Sequence, residues 1–507
     1  MTVRLHRRGF VTGTAALSAA LWAPRPGRAA AAMDFDEARH LLSRTAFGAT
    51  PAEIRAIEAL DYPAAVDQLL ATFRPTAATA APGWANDGLG ALRDQQKAMA
   101  KVTADGRAVQ VQPPLQEQGR ELRNWWIEEM LATDQPLVER MVLFWHNHFT
   151  SSLTKTYYPG SLYRQNEMFR ASAFGNFATL LKSVARDPAM LLYLDGVRNV
   201  ARQPNENFAR ELLELFTLGE GHYTESDIKA AARAFTGWSV DRETGRFVER
   251  AGQHDDGEKT FLGQTGRFGG DEIIAILLKH PRTAETIVEK MWREFVSLTP
   301  DPAAVKRLAA PFRDGGYELK PLLRALLLQP ALRDPANRGA LIKSPVDLIV
   351  GTVRVLGLPV PEKTQLARMM QGLGQSLFNP PNVKGWAGGE SWITAYTLLQ
   401  RQQILRRIVE ATTVASMEGM GGRRMDRRQA QPAMEDTQQM MEPRPVEGRS
   451  LRNSSGAARL GPTLLGVDAA TLSKTLLPFA PIDAVETGGA PGAVVAAALL
   501  DPAYQLK

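Results

Sequence analysis

Residues 204–238 read PNENFARELLELFTLGEGHYTESDIKAAARAFTGW, which sets an ionisable stripe into a strongly apolar helical pattern. In a helix, Asn207, Arg210, Glu211 and Glu214 recur at three- and four-residue intervals on one face, and Leu212, Leu213, Leu215 and Phe216 cover much of the rest. Charges flanked so closely by apolar surface must be paired or used. If they are paired, Glu206 meets Arg210 one turn on, and Glu211 and Glu214 reach arginines of other helices such as Arg233 or Arg170. If they are used, Glu206, Arg210 and Glu211 are the catalytic candidates.

Working outward, helical periodicity recurs along nearly the whole chain, for example over 36–46, 51–59, 136–147, 225–236, 282–297, 345–356 and 391–414. Start signals agree with it: Thr50-Pro51-Ala52-Glu53 places proline at the first helical position and a carboxylate at the third, and Thr224 to Asp227 repeats the box with Asp. The pattern predicts a mainly α protein, a single large multi-helical body, with a small β-hairpin insertion near 247–268 where glycine-rich turns flank Lys259-Thr260-Phe261. Residues 33–415 form that body, with a flexible stretch at 74–114. Residues 416–456, rich in Met, Gln, Arg and Gly and nearly free of aliphatic side chains, read as a disordered linker, and 457–507 as a helical segment completing the domain.

Residues 1–32 read as an address. Arg7-Arg8-Gly9-Phe10-Val11 opens a weakly apolar run from Val11 to Ala23, and Ala29 to Ala32 supply small residues for a signal-peptidase cut, the pattern of a twin-arginine export signal and not of a membrane span. The expected location is the periplasm or the extracellular space. Five arginines precede the first acid, Asp34, so the formal charge of +6 falls to +1 without that segment. A near-neutral body gives no electrostatic case for nucleic acid. The chain has no cysteine, which removes disulfides and thiolate sites and leaves His, Asp, Glu and carbonyls as ligands.

The 204–238 run also carries a resemblance. Asn205-Glu206-Asn207, Ala209-Arg210-Glu211-Leu212, the Leu-Phe-Thr-Leu-Gly run and Thr236-Gly237-Trp238 are similar to the bacterial "domain of unknown function 1800" family. Blocks at His40–Gly48, Phe144–Phe149, Asp187–Leu191, His254–Gly263 and Asn379–Trp386 follow in the family's order, over roughly residues 34 to 410, and Leu500–Gln505 resembles its usual end. The resemblance implies no activity. It does imply a partner, because such proteins are often encoded beside an exported, alkaline-phosphatase-like "domain of unknown function 1501" protein.

Five of the seven histidines fall in these blocks: His40, His146, His148, His222 and His254. In a strand or turn, His146-Asn147-His148 would put both imidazoles on one side, as a metal site needs; in a continuous helix they diverge by about 200°. A buried neutral histidine bonded to a carbonyl, and catalysis without metal, are the alternatives. His254-Asp255-Asp256-Gly257-Glu258-Lys259 is either a polar turn or a site in which His254 and Asp255 bind a metal and Lys259 an anion. His146, His148, His222, His254 and Asp255 are therefore the candidate ligands of a divalent metal. His-Glu-x-x-His, Gly-x-Ser-x-Gly and Walker signatures are missing. Three functions stay open: a metal-assisted hydrolase or other acid/base enzyme, a non-catalytic partner subunit, and a polysaccharide-binding module with Trp386 and Trp392 as its platform.

Overall fold

The computed structural model describes residues 32–104, 114–358, 362–418, 464, 466–483 and 491–507. Residues 1–31, nearly all of the stretch expected to be an export signal, and most of the linker expected at 416–456 lie outside the described residues. At its centre runs the helix Pro136–His148, in which every residue from Leu137 onward except Asn147 is buried. A helix this apolar on all sides belongs in a core. Trp145 stacks with Phe149 and Phe177 at 5.7 and 5.8 Å, and Phe149 meets Phe216 of the 204–238 run at 5.2 Å.

Two adjacent charges break this helix's apolar run, and each is neutralised from a different direction. Glu139 takes the Nε of Arg170 at 2.6 Å, its terminal nitrogen at 2.9 Å and the indole of Trp126 at 2.9 Å. Arg140 donates to Asp347 at 2.5 Å, Glu294 at 3.1 Å and the Ala46 carbonyl at 2.6 Å, with its guanidinium 4.7 Å from the Phe47 ring. The other oxygen of Asp347 accepts from Lys507 at 2.7 Å and from the Ser344 hydroxyl at 2.9 Å. Arg140 and Lys507 more than offset burial and hold the Asp347 carboxyl far below the usual range. The first and last segments meet nearby: Arg39 donates to the Pro478 carbonyl at 2.8 Å, and Leu341 and Lys507 exchange backbone bonds at 3.3 and 2.7 Å.

Helix starts follow the sequence signals. Thr50 with Glu53, Thr224 with Asp227 and Ser344 with Asp347 each form a reciprocal capping box. The expected helix at 205–218 is corrected in its second half: Asn207–Glu211 is α-helical, but Leu212–Thr217 widens into a π-helix. Widening frees carbonyls that the helix Pro281–Phe295 caps, Lys290 on Leu215 at 2.7 Å and Arg282 on Leu218 at 3.2 Å. The single hairpin is likewise two ribbons, Trp238–Val240 with Phe247–Glu249 and Lys259–Phe261 with Gln264–Gly266, the first starting before the expected insertion. Residues 74–88 are irregular but tied to the body, Glu129 accepting from the amides of Ala78 and Thr79 at 3.1 and 2.7 Å. Among the described residues no helix is long and apolar enough to cross a membrane.

Removing the Asp347 carboxylate leaves Arg140 and Lys507 buried without it. Asp347→Ala is expected to cost about 3–5 kcal/mol, read as a lowered urea midpoint, whereas Arg210→Ala, which breaks only surface pairs, should leave the midpoint near that of the parent.

Candidate functional site

The first half of the ionisable stripe is a surface network. Arg210 bonds Glu206 at 3.1 Å and both oxygens of Glu225 at 2.7 and 2.9 Å, so the expected Glu206–Arg210 pair forms and both catalytic candidates are spent on it. Glu211 and Glu214 do not reach Arg233 or Arg170. Arg170 is taken by Glu139, and Glu214 is held by Lys384 at 3.4 Å and the Tyr223 hydroxyl at 3.2 Å. Partial burial, then Glu214, raises the Glu211 carboxyl pKa.

The 254–259 loop braces itself. Asp255 is gripped by two guanidinium nitrogens of Arg233 at 2.7 and 3.1 Å, which lowers its carboxyl pKa. His254 bonds the Thr236 carbonyl through Nδ1 at 2.8 Å. Lys259, only 2% exposed, points its ammonium into the turn, at the carbonyls of Asp255 (2.5 Å) and Gly257 (2.9 Å). It is caged by its own loop and has no face left for an anion.

Nor does a shared metal fit these residues. The helix continues through His148, so the two imidazoles of 146–148 diverge as they must at two residues apart. His146 sits among the rings of Trp126, Phe378 and Trp386 at 5.2–5.7 Å, where burial pushes its pKa down to about 3. His222 is exposed, and His254 and Asp255 are engaged as above. Among the described residues no three His, Asp or Glu side chains gather as a metal would need. His40, in its own family-like block, bonds the Leu332 carbonyl at 2.9 Å and is a structural histidine.

The chemistry gathers instead at the end of the buried helix, around a cavity of about 320 Å³. Its walls come from His148, from Lys290 and Arg293, from the 341–347 segment and from the loop Lys384–Trp392. Asn147, between the two histidines, fixes that loop: it accepts from the Trp386 amide at 2.7 Å and donates to the Trp386 carbonyl at 3.2 Å. Gly385 makes this approach feasible, with φ of 78° and the Asn147 carbonyl 2.6 Å from where a Cβ would stand. Thr150 and Ser152 add bonds to the Val383 carbonyl and to Asn379 at 2.6 and 2.5 Å. Trp386 and Trp392 line the cavity but are packed to 5% and 8% exposure, so they offer no open stacking platform.

On the cavity floor Lys290 donates to Nδ1 of His148 at 3.0 Å and to the Leu215 carbonyl at 2.7 Å. With Nδ1 accepting, the His148 proton lies on Nε2. Burial, then the charge of Arg293, pushes the Lys290 ammonium down to about 8, and burial with Lys290 drives His148 well below its ordinary value. The pair is a neutral imidazole beside an amine that changes charge near neutrality. Both charged groups were readable in principle: Lys290 stands on the stripe of Thr283, Ile287 and Glu294 that the helix turns inward, and Arg140 stands inside an apolar run.

A mainly helical body with a basic, part-enclosed cavity at the end of its central helix is the class these features define. The chain belongs to the family described as protein of unknown function (DUF1800), whose model matches residues 40–506. No curated protein and no solved structure matches it.

An unfolded lysine keeps its proton to about 10.4, and folded Lys290 releases it near 8. Between those values the unfolded state binds more protons, so this group's contribution to stability rises with pH, and the cost of the buried ammonium is fully present below that window. Relative to Lys290→Met, the parent should gain on the order of 2 kcal/mol between about pH 8 and about pH 10, measured by urea unfolding of both proteins across that range.

Proposed function

We propose that the protein is an acid/base enzyme whose substrate enters the cavity beside Trp386 and exchanges a proton with Lys290. The observation that carries this reading is an amine held between an imidazole nitrogen and a helix-end carbonyl, on the floor of a cavity large enough for a small molecule. An amine tuned to about 8 is half-deprotonated close to working pH, the condition in which a base and its conjugate acid both act. His148 and Leu215 orient the amine, and the ring-lined wall lowers the local polarity. The acid/base reading replaces the metal-assisted one, whose ligands are dispersed. Arg7 and Arg8 with the apolar run behind them support export by the twin-arginine route, and with it an activity outside the cytoplasm.

A second reading, a partner subunit for an exported alkaline-phosphatase-like protein, has one observation in its favour. Tyr396 and Leu399, one turn apart on the helix Ala395–Glu418, are 64% and 56% exposed.

Trace labelling with acetic anhydride across a pH series, read lysine by lysine by peptide mass spectrometry, tests the enzyme reading. Lys290 should label with a midpoint near 8, and Lys384, whose pKa Glu214 and Glu220 raise, only at much higher pH. A Lys290 that stays inert up to pH 10 would have no route to substrate, and the weight would pass to the partner reading.

A further inference from the structure

The cavity's charges do not balance. Its two acids, Asp347 and Glu294, are both engaged by Arg140, and Asp347 also by Lys507. Lys384 at the rim faces Glu214 and Glu220 at 3.4 and 3.5 Å. Lys290 and Arg293 remain: they stand three residues apart, about one turn of the same helix, both line the cavity, and among the described residues neither has a carboxylate within 4 Å. They are close enough that the positive charge of Arg293 disfavours the ammonium of Lys290. Two unneutralised like charges at one cavity are unfavourable unless something negative enters. The same cavity is also lined by the apolar side chains of Phe144, Leu298, Ile342, Trp386 and Trp392.

We propose that the substrate is a small amphipathic anion, an apolar or aromatic body bearing a carboxylate or phosphate, whose charged end is bound by Arg293 beside Lys290. This rests on the acid/base reading of the same cavity and names the class of molecule that enters it. Guanidinium binds either anion through two parallel hydrogen bonds, and Arg293, exposed at the mouth, is free to rotate onto it. The apolar lining then receives the body of the ligand. The cavity volume, at the low end for ligand sites, limits that body to a ring or a short chain. Because an anion between the two cations favours the ammonium, binding and the protonation of Lys290 are linked: the anion raises the Lys290 midpoint, and affinity falls as pH rises through it.

Calorimetric titration of the full chain with benzoate and with phenyl phosphate at pH 7 tests this, using the parent, Arg293→Gln and Arg293→Lys. The expected result is binding of at least one probe by the parent, at least tenfold weaker in Arg293→Gln and partly recovered in Arg293→Lys; which probe binds assigns carboxylate or phosphate. Trace labelling of the same proteins separates the two proposals. The Lys290 midpoint should rise with saturating probe, and also in Arg293→Gln without probe, because a like charge is gone. A parent that binds neither probe, or an Arg293→Gln that binds as well as the parent, overturns the anion assignment while a Lys290 midpoint near 8 leaves the acid/base reading standing. An inert Lys290 overturns the acid/base reading whatever the titrations give.

Discussion

The fold depends on one buried ion pair. Arg140 lies in a helix buried along nearly its whole length, where an unpaired guanidinium would cost several kcal/mol. Its partners come from the first helix's end (Ala46), the cavity wall (Glu294) and the capping box of a distant helix (Asp347). Glu294 takes one terminal nitrogen while Ala46 and Asp347 share the other, so one guanidinium fixes four segments relative to one another. Lys507 then neutralises what charge remains on Asp347. Hydrophobic burial supplies the driving force, but it is non-directional; the guanidinium supplies the register.

The cavity is a by-product of that arrangement. Arg140 draws Glu294 inward, which turns the same face of the helix Pro281–Phe295 toward His148, and Lys290 comes with it. Lys290 finds its second acceptor in Leu215 because the run after Glu211 is widened. The stripe that dominates the sequence thus contributes a main-chain carbonyl to the site, while its own charged side chains stay at the surface.

Helix positions and starts were legible because they rest on local rules: proline at the first turn, capping boxes and apolar periodicity act within a few residues. Membership of the family was legible from its blocks. The site was not, for physical reasons visible at single residues. Glu206 and Arg210 look functional because leucines flank them, yet a helix half-sunk in a core has a wet edge, and that is where they lie. Lys259 looks like an anion binder until its own loop carbonyls are seen to enclose it. In the His-Asn-His triplet the informative residue is Asn147, whose side chain mimics a strand partner for a loop 239 residues away. No spacing rule reports a partner that remote. The π-helix escaped because its cause, side chains waiting to cap its carbonyls, sits on another helix.

The two charges of the central helix also differ in when they can be answered. As the chain leaves the ribosome, Glu139 needs only Arg170, 31 residues on. Arg140 must wait for Glu294, 154 residues on, and for Asp347, 207 residues on, the second roughly ten to forty seconds at ordinary rates of synthesis. Throughout that interval the helix carries one settled charge and one whose partners are incomplete. The set of partners around Arg140 is therefore complete only once most of the polypeptide has emerged.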